Sequence, residues 1–187
     1  MNLELETERL RLSPLALDDA DLAVALWTDP RVANFNGGVA TEEDLREEMP
    51  LTTRRGAEGA IGIWCVRDKD SGRKIGSTYL LPLPIAADDV DYASLRLDRM
   101  PKGDIELGYF LTPPAWGKGL ATEISRRMLR FAFDTAGLEE VVAAVHADNL
   151  ASQNVLNKSG FSYTGIADCW GRSFPLYRLA RADFSPV

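Results

Sequence analysis

One histidine and two cysteines in 187 residues leave little room for metal or disulfide chemistry. Neither Cys65 nor Cys169 has the CxxC spacing or the histidine company of a metal site, so both read as packing residues and no metal is expected. No apolar run approaches the roughly 20 residues of a membrane span, and the charged start MNLELETERL lacks the apolar core of a signal peptide. No membrane association is expected, and a cytoplasmic location is. An excess of positive charge is also missing. Lys and Arg number 21 against 28 Asp and Glu, a formal charge of -7, whereas a sequence-independent grip on nucleic acid needs a basic surface. No nucleic-acid partner is expected, and no internal repeat or low-complexity tract is visible.

What is present is ordinary: 45% hydrophobic and 26% charged residues, over a length that closes one hydrophobic core, so residues 1–187 read as a single domain. Leu5, Leu10 and Leu12 alternate with charged residues before Pro14 as one edge-type strand. Asp18 opens a helix whose stripe, Leu22, Leu26 and Trp27, stops before Asp29-Pro30, and Asn36-Gly37-Gly38 is a loop. Thr41 with Asp44 resembles a capping box for a second helix running to about Thr53. Gly59 to Val66 and Ile75 to Leu81 form a hairpin with Ser71-Gly72 at its tip, and residues around 84–103 read as an irregular surface insertion. Ile105 to Leu111 is a strand, about Gly119 to Ala136 a helix ended by Gly137, and Glu140 to Val145 a buried strand. Ala151 to Ser159 is a short helix closed by Gly160, and Phe161 to Ala167 with Phe174 to Leu179 closes the chain as a strand pair. About seven strands and four helices in this order predict an α/β (α+β) fold with a mixed, mainly antiparallel sheet flanked by helices.

The stretch LTPPAWGKGLATEISRRM joins a strand to a helix through a glycine pair. A helix N-terminus presents unpaired N–H groups and a partial positive charge, and glycine lets an anion come close to that backbone. The turn is therefore a phosphate-site candidate, with a plain tight corner as the alternative. It is not a P-loop, because Gly117-Lys118-Gly119-Leu120 fails GxxxxGK[ST]. As a dinucleotide fingerprint it comes late in the chain, and Glu139 and Glu140 begin the following strand instead of ending it.

Taken together, four ordered segments carry a family likeness: Glu106-Leu107-Gly108-Tyr109-Phe110-Leu111, Trp116 to Glu123, Asp148 to Leu156, and Lys158-Ser159-Gly160-Phe161. They resemble the GNAT N-acetyltransferases, and within them the ribosomal-protein N-terminal (RimJ/RimL-like) acetyltransferases, whose first strand and helix LETERLRLSPLALDDA is also similar to. The family's loop pattern, Gln or Arg, two residues, Gly, one residue, then Gly or Ala, maps onto Trp116 through Gly119 to Ala121, with Trp116 departing at the first position.

The resemblance implies acetyl-CoA as acyl donor. Its pyrophosphate would lie on the turn formed by Trp116, Gly117, Lys118, Gly119, Leu120, Ala121 and Thr122, which uses backbone amides in preference to the Lys118 charge. Its pantetheine arm would run beside Tyr109, Phe110 and Leu111, in a splay between two parallel strands. Asn149 and Ser152 match the family's Asn-x-x-Ser at the start of the next helix, with Asn154 a further contact; for Asn149 the alternative is a helix cap. Glu106 matches the position of a general base. Leu156 occupies the position of the family's proton-donating tyrosine, which leaves Ser152 as the acid. His146 ends a buried strand and needs no catalytic role. Arg126 is the candidate for the adenosine phosphate, while Glu123 and Arg127, and Arg130 and Asp134, are spaced as i,i+4 pairs. Trp64, Tyr79, Tyr109, Trp170 and Phe174 can line an acceptor pocket or simply fill core. The expected reaction is direct acetyl transfer to a primary amine, with a peptide or protein N-terminus ahead of a small-molecule or antibiotic amine. A non-catalytic acyl-CoA sensor and a dinucleotide-dependent oxidoreductase are the readings from other classes. Monomer and homodimer both remain open.

Overall fold

The computed structural model describes residues 1–35 and 37–185 of the chain. Where one edge strand was expected, the N-terminus forms a hairpin of β1 (Leu5–Glu6) and β2 (Leu10–Pro14), closed by Thr7 N–H donating to Leu10 O at 2.9 Å. β2 is thereby paired on both sides, to β1 and to β3 (Gly62–Asp68), and Pro14 is tolerated because it ends the strand. A 3-10 turn at Leu17–Asp19 leads into α1 (Ala20–Trp27). Pro30 then starts a four-residue helix, α2 (Pro30–Ala33), capped by Asp29 accepting from Arg31 N–H. The loop expected at Asn36-Gly37-Gly38 has its first residue outside the described ones. α3 (Glu42–Thr52) is capped by Thr41, whose hydroxyl oxygen accepts from Asp44 N–H at 3.2 Å.

β3 and β4 (Lys74–Pro82) form the expected hairpin, and β4 pairs antiparallel with β5 (Ile105–Leu111). The connection between them is not wholly superficial, because Val90, Tyr92 and Leu95 are buried in the main core. α4 (Leu120–Asp134) buries Leu120, Ile124, Met128, Phe131 and Ala132, a stripe at helical spacing laid against the sheet. It ends at Asp134 with Thr135 as its C-cap, two residues short of the expected Ala136, and Gly137 follows in the turn with a φ of +71° that glycine adopts without strain. β6 (Glu140–Ala144), α5 (Leu150–Lys158), β7 (Ser162–Cys169) and β8 (Arg172–Ala180) follow. Trp170 and Gly171, with φ of +53° and +67°, make the tight β7–β8 turn.

Eight strands thus lie in the order β1-β2-β3-β4-β5-β6-β8-β7, with five helices among the described residues, against about seven and four expected. The extra elements are the β1 half of the hairpin and α2, both too short to leave a periodic signature. Every neighbouring pair is antiparallel except β5 and β6, which run parallel and meet at one registered position, Glu106 opposite Val142.

Candidate active site

Beyond Glu106 the edge of β5 that faces β6 has no strand partner, so residues 107–111 border an opening in the sheet. A cleft of about 990 Å³ fills this opening and runs from the α4 N-terminus to α3. Of the residues singled out for catalysis, cofactor or pocket, all but Lys118, Arg126 and Trp64 line it. Lys118 is exposed, and its carbonyl oxygen accepts from Arg9 Nη1 at 2.9 Å.

The glycine turn is built to present amides. Gly117 and Gly119 sit at φ of +72° and +77°, and a Cβ on either would meet open space or only the tip of Arg9. Gly119 caps α4 with no side-chain oxygen on the first amides, and the N–H groups of residues 117–122 donate to no acceptor among the described residues. Such an N-terminus suits an anion, so the turn fits the pyrophosphate of coenzyme A. Trp116, 45% exposed, donates its indole N–H to Leu111 O at 2.7 Å and ties the turn back to the end of β5. The expected Glu123–Arg127 pair does not form. Glu123 instead accepts from Thr7 Oγ1 and from the Arg9 backbone and guanidinium, because these neighbours fix it with several bonds at once. Arg127 donates to Glu6 O at 3.1 Å, and no ion pair joins Arg130 to Asp134 among the described residues. Arg126, expected at the adenosine phosphate, is not on the cleft wall; it donates at 3.0 Å to the carbonyl oxygen of Lys158, which is.

Asn149 caps α5, its side-chain oxygen accepting from Ser152 N–H at 3.1 Å, so the cap reading describes its carbonyl end. The Ser152 hydroxyl makes no hydrogen bond among the described residues, while its carbonyl accepts from Tyr109 OH at 3.5 Å. Leu156, which replaces a tyrosine, is buried core. His146 sits half-buried on the cleft wall, stacked near Phe35 with ring centroids 5.2 Å apart.

Glu106 is 2% exposed and closes the splay from within. Its Oε1 accepts from Ala144 N–H of β6 at 3.0 Å, in place of a strand partner. Its Oε2 accepts from Trp170 Nε1–H at 3.1 Å and Tyr79 OH at 3.2 Å. Burial pushes the carboxyl up to about 7, and the three hydrogen bonds only partly oppose this; no cation pairs with it among the described residues. Tyr79, Trp170 and Phe174, expected as either pocket or core, border the cleft. Trp64 does not: it is fully buried under the Arg55 guanidinium, 4.0 Å from its ring. Sequence reasoning missed Glu48, Asp88, Asp89 and Tyr92, which also line the cleft and come from segments with no motif of their own.

A mixed sheet opened at its one parallel pair, an amide-presenting glycine turn beside the opening and a buried carboxylate within it suit an acyl-CoA-dependent acyltransferase. Residues 9–162 match the family model described as an acetyltransferase (GNAT) domain, and the chain belongs to that family. It is an acetyl-CoA-dependent N-acetyltransferase. The chain is 29% identical over 162 residues to the FsC-acetyl coenzyme A-N(2)-transacetylase of Aspergillus fumigatus, covering 85% of this chain and 65% of that one. Two solved structures share the fold. The aminoglycoside acetyltransferase AAC(6')-Ib in complex with coenzyme A has a TM-score of 0.69 at 17% identity, over 94% of this chain and 95% of that one. The ribosomal-protein-S5-alanine acetyltransferase of Vibrio fischeri has a TM-score of 0.70 at 19% identity, over 99% and 100%. No helix among the described residues is long and apolar enough to cross a membrane, and no group of His, Cys, Asp or Glu among them is placed to hold a metal.

Proposed function

We propose that this chain acetylates a primary amine by direct attack, with Glu106 as the general base. The observation that carries the reading is the Glu106 carboxylate, buried at the mouth of the splay without a cation and pushed up to about 7. Acetyl-CoA supplies an activated acetyl carbonyl and a thiolate leaving group. The chain's part is to hold and to move protons. The amides of residues 117–122 receive the pyrophosphate, and Tyr109, Phe110 and Leu111 border the pantetheine channel, with Asn149 and Asn154 at its α5 side. An N–H on the unpaired edge of β5 donates to the acetyl oxygen as it gains charge. Glu106 takes the ammonium proton, directly or through water, and a base near 7 suits an α-amine of about 7.7 to 8.0 better than a lysine amine of about 10.4. Ser152, with a free hydroxyl on the cleft wall, is the proton donor to the departing sulfur.

A peptide or protein N-terminus, the acceptor implied by the resemblance to the ribosomal-protein branch, offers the amine this base requires. A small-molecule amine is the second reading, because Asp88, Asp89 and Tyr92 of the long β4–β5 connection also line the cleft. Thiol release from acetyl-CoA, followed with a panel of peptides and small amines, tests the reading. Amine-dependent release with one acetylated product by mass is expected. Tight acetyl-CoA binding by calorimetry with no release for any amine would instead identify a sensor.

Tyr79→Phe provides a second check on the base. The Tyr79 hydroxyl holds the Glu106 carboxyl down, so its removal should shift the inflection of kcat/KM against pH upward, by about one unit or less. An inflection that stays in place would dissociate Tyr79 from the ionising group.

A further inference from the structure

The opening stretch LETERLRL lines none of the cleft, yet its reversal at Thr7-Glu8-Arg9 rests on the turn that receives the donor. Thr7 and Arg9 both bind Glu123, the acid in the first turn of α4. Glu123 Oε1 accepts from Thr7 Oγ1 and from Arg9 N–H at 3.0 Å, and its Oε2 accepts from Arg9 Nε–H at 2.7 Å. Nη2 of the same guanidinium is also paired to Oε2, and the Arg9 carbonyl accepts from Lys69 N–H at 2.9 Å. Backbone and side chain are both held. A planar guanidinium fixed at Nε and Nη2 has one direction left for Nη1, and there it meets Lys118 O at 2.9 Å.

That bond sets the plane of the peptide between Lys118 and Gly119. No other donor reaches Lys118 O among the described residues. No peptide bond among them is cis, so the C=O and N–H of this unit point to opposite sides. Arg9 holds the carbonyl at the back of the turn and thereby turns Gly119 N–H to the front. The surroundings agree with this polarity: Trp116, Gly117 and residues 119–122 line the cleft, Lys118 does not, and a Cβ on Gly119 would meet only Arg9 Nη2, at 3.8 Å. Glycine does not enforce the orientation itself, because it admits backbone angles of either sign.

Charge acts in the same sense. A carboxylate in the first turn of a helix competes with an incoming anion for the same positive end. Paired to Arg9, Glu123 brings no net charge to the turn.

We propose that Arg9 is a positioning residue for acetyl-CoA: by holding Lys118 O and Glu123 together it aims the Gly119 amide at the donor's pyrophosphate, which makes the N-terminal hairpin part of the cofactor site. The proposal rests on the reading of the glycine turn as the pyrophosphate cradle. Because Arg9 is off the cleft wall, its loss acts on donor affinity and not on the chemical step. Its side chain is 46% exposed, so a shorter residue there leaves no cavity.

The test uses acetyl-CoA beside S-acetylpantetheine, which carries the same thioester but stops short of the pyrophosphate. In Arg9→Ala, KM for acetyl-CoA should rise about tenfold, the scale of one misaligned hydrogen bond to a charged group, with kcat within about twofold of wild type. Calorimetry should find coenzyme A binding weakened by the same factor. The kcat/KM for S-acetylpantetheine should stay within about twofold, since that donor never meets the turn. Arg9→Lys keeps the charge but not the fork; it should show the same split at a smaller size, and it serves if the alanine variant does not fold. Equal losses with both donors would mean a general loosening of the fold, and no loss with either would mean an idle surface pair. Each of these overturns the proposal and leaves the acetyltransferase reading standing. Wild-type protein that binds coenzyme A no better than pantetheine would overturn the pyrophosphate cradle and the role of Arg9 together. Coenzyme A affinity that falls as expected in the variant, with no amine acetylated by the wild type, would uphold Arg9 and overturn the assignment of Glu106.

Discussion

Glu106→Gln is expected to lower kcat for amine acetylation by about 10²- to 10⁴-fold, the range over which a positioned base contributes, while acetyl-CoA still binds. In the wild type kcat/KM should rise through about pH 7 as the buried carboxyl loses its proton. That limb should vanish in the variant. An unchanged rate, or a limb that persists, removes Glu106 as the base.

The same residue ties activity to stability. Its carboxyl titrates near 4.5 in the unfolded chain and at about 7 in the fold. Between those values the native state keeps a proton that the unfolded state has released. The stabilisation is therefore complete below about 4.5 and lost as pH rises to about 7, amounting to about 3 kcal/mol. The protein gives up this stability over the range in which its base becomes competent. Glutamine removes the titration but does not match the donors around it. Whichever way the amide is turned, its NH₂ faces either Ala144 N–H or Trp170 Nε1–H, leaving one donor unpaired at about 1–3 kcal/mol. Urea unfolding should then find the variant weaker than wild type at pH 5 and the gap closed or reversed at pH 8. A constant gap across that range would contradict the shift.

The strand, turn and helix from Ile105 to Asp134 were legible because each carries a local signal: an apolar run, a proline pair with two glycines, and a stripe repeating every three or four residues. The β1–β2 reversal was not, since Thr7-Glu8-Arg9 contains neither glycine nor proline. What holds it is a distant carboxylate: Glu123 takes Thr7 Oγ1 and the Arg9 backbone and guanidinium together. The spacing of Glu123 and Arg127 suggested a local pair, and the tertiary partner won because it offers more bonds than an exposed i,i+4 contact worth a few tenths of a kcal/mol. Glu106 could be chosen from the resemblance, but the three donors that set its proton affinity come from β4, β6 and the β7–β8 turn. The acids on the cleft wall are less legible still. Glu48 reads as one more acid on a solvated helix and Asp88-Asp89 as loop polarity until the sheet brings them to one cleft.

Asp19→Ala is expected to cost about 3 kcal/mol, near the lower end for breaking a buried ion pair from one side. Asp19 is 1% exposed and sits at the turn into α1. Its Oδ1 accepts from Arg67 Nη2 at 2.6 Å and lies 3.0 Å from Lys74 Nζ, and its Oδ2 accepts from Ala16 N–H at 3.1 Å. The two cations retain some contact with water and other partners, Ser13 Oγ for Arg67 and Asp21 for Lys74, which keeps the loss from reaching the upper end of the range. A change of this size in a chain of 187 residues lowers Tm by roughly 6–12 °C. The functional consequence follows from what the clamp holds. Arg67 is on β3 and Lys74 on β4, so Asp19 fastens the start of α1 to the middle of the sheet, and Leu22, Leu26 and Trp27 of α1 line the cleft, with Trp27 packed edge-on against Phe110 at 4.6 Å. Loosening that end should raise KM for acceptor and acetyl-CoA together at temperatures well below the lowered Tm. Asp19→Asn retains one oxygen, which can accept from Ala16 N–H or face the cations but not both, and should lose less on both measures. Equal losses for Ala and Asn would mean that the charge, and not the hydrogen bond to the turn, carries the clamp.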